Sequence, residues 1–179
     1  MLHIQLPLPV KFICTFIYRD EKTYTKAKKL LERKFGKADF ESQKITFDFT
    51  DYYYEEMGKP LYRRFVSFEK LRKIPNFVKI KLFCIKLEKK FSTKNRRSIN
   101  IDPGYINESK LVLTTTKDFS HRIYLNKGIY AEVTLHYADK TFNYFPTTFP
   151  DYRTPQYIDI FLSIRKIYRR QIKNLNLQS

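Results

Sequence analysis

The first 36 residues carry one hydrophobic pattern typical of a strand and then one typical of a helix. Residues 10–18 (VKFICTFIY) are rich in β-branched and aromatic side chains, which predicts a buried strand. Asp20 follows at the position of a helix N-cap, and Gly36 stands where a C-terminal glycine is expected. Between them, apolar side chains recur at helical spacing at Tyr24, Ala27, Leu31 and Phe35.

The following segments predict two more strands, a second helix and a fourth strand. The predicted strands are 40–54 around ITFDF, 62–68 after a turn at 57–60, and 98–101. The helix is expected to begin at Pro75-Asn76, although part of it (VKIKL) also alternates like a strand. Asp102-Pro103-Gly104 has the composition of a turn. The resulting order, β-α-β-β-α-β, is that of the ferredoxin-like unit.

The second half of the chain has a different pattern. Four alternating segments, 110–116, 121–125, 129–137 and 141–145, predict an antiparallel β-meander. Thr154 then caps a helix that has Pro155 at its first position. We therefore expect an α+β fold in one domain, residues 1–179. Its ferredoxin-like half would span 10–105, and the β-meander with the C-terminal helix would span 106–179.

The sequence around Gly128 predicts a hairpin and the register of its two strands. If 126–128 is a three-residue loop, Leu125 opposes Ile129, and the pairs Tyr124–Tyr130 and Ile123–Ala131 follow. Arg122 then opposes Glu132, so we expect a cross-strand ion pair. His121 would share the face of Ile123 and Leu125, and we expect that face to be the core side.

Composition indicates a folded protein with no membrane partner. Hydrophobic residues make up 42% of the 179 residues, and aromatic residues 17%. Cys14 and Cys84 lie in apolar segments without metal-binding spacing, which is typical of reduced, buried thiols. The N-terminus lacks a signal-peptide pattern, and no apolar stretch approaches the ~20 residues of a membrane helix. We therefore expect a cytoplasmic protein.

The charge raises the question of a nucleic-acid partner. The chain has 35 basic and 18 acidic residues, a net charge of +17. Such a surface can bind RNA, and the tyrosines at 52–54 and 62 with Phe68 could stack bases. The basic residues are, however, spread along the chain, and lysine outnumbers arginine. Solvated surface charge is therefore the alternative interpretation.

No motif with a known mechanism is present. The sequence lacks a P-loop, GxGxxG, HExxH, CxxC and GxSxG. Asp48 and Asp51 in DFTDYY form the best carboxylate pair, and oxygen ligands of this kind suit Mg²⁺ or Mn²⁺. Solvated or turn-forming carboxylates are the alternative. In a ferredoxin-like unit, we expect this pair to lie away from Asp102, because the second and fourth strands end at opposite edges.

Residues 100–136 contain the densest set of polar groups. Asp102, Lys117, Asp118 and His121 are candidate catalytic residues, since carboxylates, lysine and histidine can move protons. Tyr105, Lys117, Ser120 and Arg122 are candidate ligand-binding residues, since cations beside hydroxyls suit a phosphate or carboxylate. Glu132 would position Arg122. A core histidine and a solvated turn are the alternative.

The motifs of the chain resemble those of an uncharacterised prokaryotic family, the domain of unknown function DUF4416. The resemblance rests on FDFTDYYYEEMG with LYRRFVSFE, on NIDPGY with SKLVLTTTKDFSHRIYL and GIYAEVTLHY, and on FPDYRTPQYIDIF. It covers nearly the whole chain and implies a complete family domain. Some members carry a GTP-binding label, to which the missing P-loop gives no physical support.

Three hypotheses for function follow. The first is a protein that binds a small ligand, a nucleotide or another phosphate compound, with an enzyme as one version of it. The second is an RNA-binding or ribonucleoprotein-associated module that uses the basic surfaces. The third is a structural or protein-interaction domain.

Overall fold

The computed structural model describes residue 4, residues 6–94 and residues 96–177. Four α-helices lie in these residues: α1 (Glu21–Phe35), α2 (Tyr54–Met57), α3 (Phe77–Lys90) and α4 (Pro155–Asn176). The described strands are β1 (Lys11–Tyr18), β2 (Ala38–Glu41), β3 (Ile45–Thr46), β4 (Tyr62–Phe68), β5 (Ile99–Ile106), β6 (Lys110–Thr115), β7 (Ile123–Asn126), β8 (Ile129–Ala138) and β9 (Thr141–Tyr144). Short 3₁₀ helices precede α3 and α4, at Ile74–Asn76 and Pro150–Arg153.

All of these strands belong to one antiparallel sheet. Its order is β2-β4-β1-β5-β6-β8-β7, with β3 paired to β4 and β9 paired to β8. The sheet therefore runs through both halves of the chain, and the expected α+β class is confirmed. None of the described helices has the length and apolar character needed to cross a bilayer.

Helices cover both faces of the sheet. On one face, Phe12 and Phe16 of β1 pack with α1 and α3, and we call this the α1/α3 face. On the other, Phe65 of β4 packs edge-on against Tyr157 and Phe161 of α4, with ring centroids 4.6 and 5.1 Å apart, and we call this the α4 face. Successive residues of a strand point to opposite faces, so the near-continuous burial of β1 follows from this double cover.

The helix boundaries follow from the capping residues that the sequence indicated. Asp20 accepts a hydrogen bond from the Thr23 amide at 2.8 Å and caps α1. Thr154 accepts from the Tyr157 amide and caps α4, with Pro155 in the first turn. Both predictions are confirmed, because a cap depends only on neighbouring residues.

The long strand expected at 40–54 is wrong. Only Ala38–Glu41 and Ile45–Thr46 pair with β4, and a loop and α2 follow. Phe47 leaves the sheet and packs with Met57 and Leu61 in a small apolar cluster instead. The apolar residues of ITFDF therefore cover one end of the sheet.

The predicted meander is also wrong in its connections. β8 lies beside β6, while β7 and β9 both pair with the outer side of β8. In the hairpin, Tyr124–Tyr130 and Ile123–Ala131 pair as predicted, but Asn126 opposes Ile129. The loop is two residues long, Lys127 and Gly128, both with positive φ, and Leu125 is extruded as a bulge.

The expected turn at Asp102-Pro103-Gly104 lies inside β5. Proline is tolerated there because β5 pairs with β6 only from Gly104 onward, so no ladder hydrogen bond is lost at Pro103. The Thr114 hydroxyl donates to the Pro103 carbonyl at 2.7 Å. Glycine is needed next because β6 approaches closely: a Cβ at Gly104 would lie 2.2 Å from the Val112 carbonyl oxygen.

Gly104→Ala is therefore expected to lower the free energy of unfolding by about 3 kcal/mol, since the backbone of β6 must move. Gly128→Ala is the matched control, because a Cβ there meets nothing within 4 Å and only the positive φ of 72° opposes it. Its cost should be about 1 kcal/mol. Urea denaturation of both variants measures the difference, and equal losses would contradict the close approach of β6.

Candidate functional site

A cavity of about 480 Å³ opens on the α4 face of the sheet. Strand residues form one wall, among them Arg63 of β4, Asp102 of β5 and Glu132 of β8. Two connecting segments, 47–53 and 149–152, form the opposite wall and contribute aromatic side chains. These are Phe47, Phe49, Tyr52, Tyr53, Phe149 and Tyr152. The cavity is thus polar along the sheet and aromatic along its cover.

The strand registers bring the polar residues together. Thr15 is paired with Asp102, and Leu113 of β6 is paired with Glu132. Gly104, two residues after Asp102 in β5, is paired with Leu113. Because paired residues point to the same face of an antiparallel sheet, Thr15 of β1, Asp102 of β5 and Glu132 of β8 lie on one face, with β6 between the last two. Residues that are far apart in the sequence therefore form one row across the sheet.

Arg63 forms the most buried polar contacts of the cavity. Its Nη2 donates to Asp151 Oδ2 at 2.7 Å, and its Nη1 donates to the Thr15 hydroxyl at 3.3 Å. Arg63 and Asp151 are each only 4% exposed. Burial raises the pKa of Asp151 above its usual value, although the Arg63 charge opposes this. The Arg63 Nε is buried and has no hydrogen-bond partner among the described residues, so one donor of the cavity is unsatisfied.

Asp102 is held as a carboxylate by a buried lysine. Lys81 of α3 donates from Nζ to Asp102 Oδ1 at 2.9 Å, and Asn100 donates to Oδ2 at 2.7 Å. Burial alone would raise the pKa of Asp102, but the charges of Lys81 and Arg63 keep it below its usual value. The cavity therefore contains an ionised carboxylate at neutral pH.

Two side chains of α3 also complete the free edge of β5. The Ile101 amide donates to Glu88 Oε1 at 2.6 Å, and the Ile101 carbonyl accepts from Lys81 Nζ at 3.2 Å. These backbone groups would otherwise be unsatisfied, because β6 does not reach this part of β5. Burial raises the pKa of Glu88 to about 7, with Lys81 opposing the shift. Glu88 and Asp102 thus share the single positive charge of Lys81.

A second charged group lies near β8. Arg122 Nε donates to Glu132 Oε2 at 2.8 Å, and His121 Nε2 lies 3.0 Å from the same oxygen. The predicted ion pair of Arg122 and Glu132 is confirmed. Lys117 donates from Nζ to the Tyr52 hydroxyl at 3.0 Å, which lowers the pKa of Tyr52. This contact joins the two loops beside the cavity.

Three of the candidates from the sequence line this cavity: Asp102, Lys117 and Arg122. His121 is not a lining residue but contacts the cavity through Glu132. Its expected place on the core side is wrong, because its supposed neighbours Ile123 and Leu125 are 70% and 41% exposed.

The other candidates lie elsewhere. Asp118 and Ser120 are exposed in the loop after β6, and neither lines the cavity. Tyr105 lies in the core of the α1/α3 face, where its ring centroid is 5.1 Å from that of Phe77. The turn between β6 and β7 points the side chains of Asp118 and Ser120 outward. A position close to Lys117 in the sequence therefore does not mean that a residue lines the cavity.

The carboxylates proposed for Mg²⁺ or Mn²⁺ are also outside the cavity. Asp48 and Asp51 are exposed, and the described residues contain no group of three or more potential protein ligands for a metal. Their segment nevertheless reaches Asp102, since Phe49, Thr50 and Tyr52 line the same cavity. Asp48 and Asp51 therefore do not converge with Asp102 in the cavity, as expected, although neighbouring residues of their segment cover it because the chain leaves the sheet after β3.

Sequence reasoning missed Arg63, Asp151, Phe149 and Tyr152. The sequence could have indicated Arg63, because a charged residue within the apolar strand YRRFVSF must either face solvent or contact a buried partner. It could not have indicated Asp151, since an aspartate in a proline-rich loop is common at the surface.

Searches among curated proteins and among solved structures found no match. The sequence model of the family described as "Domain of unknown function (DUF4416)" matches residues 8–168. This range includes every residue of the cavity wall named above. The protein therefore belongs to the DUF4416 family.

Proposed function

We propose that the protein binds a small anionic ligand that contains a flat aromatic ring, with nucleotides as the ligand class, in the cavity on the α4 face. The observation that carries this proposal is the pairing of an aromatic cover with the unsatisfied, buried Nε of Arg63. A volume of about 480 Å³ lies within the usual range of small-ligand sites.

The aromatic cover favours a planar ring. Phe49, Tyr52 and Phe149 are 42%, 57% and 49% exposed, which is high for large apolar side chains. A heteroaromatic ring placed against them would bury this area and present its edge to the polar wall. Carboxylates at Asp102 and Glu132 can accept hydrogen bonds there, and Arg63 can donate one.

The cations near the mouth favour a phosphate. Lys117 is exposed, and its Nζ lies 4.1 Å from the Tyr52 ring centroid. Arg122 donates from Nε to Glu132 and from Nη1 to the Lys117 carbonyl, so these two hydrogen bonds fix the position of its guanidinium. A fixed arginine beside an exposed lysine suits a phosphate that is only partly enclosed.

Calorimetric titration with nucleoside mono-, di- and triphosphates, with and without Mg²⁺, tests the proposal. Lys117→Met should weaken the best ligand about tenfold, since one charge-assisted contact is lost. Lys44→Met is the matched control, because Lys44 also lies over a tyrosine ring, 4.2 Å from Tyr62, but does not line the cavity.

Three outcomes would contradict the proposal. One is the absence of binding by any nucleotide, and another is equal weakening by Lys117→Met and Lys44→Met. The third is equal binding of pyrophosphate and the nucleotide, because the aromatic cover would then contribute nothing. In an enzymatic version of the proposal, the ionised Asp102 carboxylate accepts a hydrogen bond from the ligand, since its lowered pKa makes it a weak base.

RNA binding has less support. Of the aromatic residues that could stack bases, Phe68 is fully buried and Tyr53 and Tyr54 are half-buried, while Tyr52 is exposed. A stacking platform needs several accessible rings in a row. A protein-interaction role has no specific contact in its favour.

Two finer structural proposals accompany this one. We propose that β1, β2, β4 and β5 with α1 and α3 form a ferredoxin-like unit, supported by the strand order β2-β4-β1-β5. We also propose that the protein acts in the cytoplasm, supported by Cys14 and Cys84, which are buried free thiols.

A further inference from the structure

A second cavity, of about 430 Å³, lies between α1 and α3 on the outer side of the α1/α3 layer. Its apolar part is formed by Phe35 at the end of α1 and by Ile80, Leu82 and Phe83 of α3. Phe35 and Phe83 meet edge to face, with centroids 5.3 Å apart. We call this cavity the basic cleft, defined by these four residues and by the four cations that surround them, Lys34, Arg72, Lys79 and Lys86.

The charges of the basic cleft are all of one sign. Asn76 completes its lining, so no carboxylate is among the nine residues. None of its four cations takes part in an ion pair with another described residue. This differs from the α4-face cavity, where Arg63 and Arg122 each have a carboxylate partner. Unpaired cations around an apolar surface attract anions.

Arg72 is the cation that the fold holds most firmly. It donates from Nη2 to the Phe35 carbonyl, and its guanidinium lies 5.5 Å from the Phe35 ring centroid. Its Nε is buried and has no partner among the described residues. The guanidinium is therefore positioned by α1 and retains an unsatisfied donor.

We propose that the basic cleft binds an amphipathic carboxylate, a molecule with one anionic head and an unbranched apolar chain. The chain would contact Phe35 and Phe83 and bury apolar surface. The anionic head would lie among Arg72 and the lysines and would compensate their positive charges. This site is separate from the α4-face cavity and does not depend on the function proposed for it.

The chemistry of the lining distinguishes this ligand from a nucleotide. Asn76 is the one uncharged polar side chain of the lining, so the cleft offers few groups that could recognise the edge of a base. An apolar surface with cations at its border instead matches a molecule whose polarity is confined to one end.

Calorimetric titration of the full chain with octanoate, decanoate and dodecanoate, each below its micellar concentration, tests the proposal. Affinity should rise about two- to fourfold with each added CH₂ group, until the chain exceeds the cleft. Octanol should bind at least tenfold more weakly than octanoate, because it lacks the charge.

Charge reversal on α3 provides a matched pair of variants. Lys86→Glu changes a cation of the cleft, and Lys90→Glu makes the same change of net charge one turn later, outside the cleft. Lys86→Glu should weaken decanoate about tenfold, and Lys90→Glu should have less than a twofold effect. Both positions are exposed, so both variants should fold.

Four results would overturn the proposal. One is the absence of fatty-acid binding, and another is equal weakening by Lys86→Glu and Lys90→Glu, which would indicate diffuse charge. Octanol binding as tightly as octanoate would indicate a purely apolar surface. Tighter binding of a deoxythymidine decamer, weakened selectively by Lys86→Glu, would assign the cleft to nucleic acid.

Discussion

Arg63→Met is expected to lower the free energy of unfolding by about 3–5 kcal/mol. The variant leaves Asp151 buried, 4% exposed, without the guanidinium that lies 2.7 Å from its Oδ2. An unpaired carboxylate in that position must either stay charged in an apolar environment or bind a proton. Urea denaturation at pH 7 measures the loss.

The double variant Arg63→Met/Asp151→Leu separates the ion pair from simple packing. Removing both charges takes away the attraction and both desolvation penalties, so the double variant should be more stable than either single variant. A double variant whose loss equals the sum of the two single losses would show that the residues act independently.

Arg64→Met is the control for position within the strand. Arg64 is the next residue of β4, on the other face, and its ion pairs with Glu21 and Glu41 are partly exposed. Its loss should be about 1 kcal/mol, the scale of partly exposed pairs. A loss as large as that of Arg63→Met would mean that burial is not the decisive difference.

The second large effect is the dependence of stability on pH that Glu88 produces. The folded protein holds this carboxyl with a pKa of about 7, against the ordinary value of 4.5. Between these two values the folded state binds more protons than the unfolded state, so the contribution of Glu88 to stability falls as pH rises. The free-energy cost of burying the charged Glu88 carboxylate is fully present above pH 7 and amounts to about 3 kcal/mol at most.

Glu88→Gln should therefore become more stable relative to the wild type as pH rises from 5 to 8. Glutamine keeps an oxygen for the Ile101 amide, which now donates to Glu88 Oε1, but it carries no charge to desolvate. Urea denaturation of both proteins at several pH values gives the difference curve. Glu55→Gln, the same substitution at an exposed position, is the control.

A Glu88→Gln difference that is constant from pH 5 to 8 would contradict the raised pKa. A difference that changes in the opposite direction would mean that Lys81 binds the Glu88 charge more strongly than burial opposes it. The Lys81–Asp102 contact would then be weaker than the 2.9 Å distance suggests.

The candidate site was partly predictable, and the two parts differ in a physical way. Arg122 and Glu132 lie ten residues apart on one hairpin, so the alternating pattern was enough to pair them. Arg63 and Asp151 are 88 residues apart, and only the packing of the 149–152 segment against β4 brings them together. Tyr105 lies apart from Asp102 because residues three positions apart on a strand point to opposite faces of the sheet.

The sequence by itself determined the local structure: the strand at 10–18, the caps at Asp20 and Thr154, and the two hairpin pairs Ile123–Ala131 and Tyr124–Tyr130. These features depend on side-chain alternation and on hydrogen bonds between near neighbours. Only the tertiary structure decided the place of β8 between β6 and β7, the continuation of β5 through Pro103, and the cavity itself. Each of these requires contacts between distant segments, such as Lys81 and Glu88 of α3 completing the edge of β5 at Ile101, and no local pattern encodes such contacts.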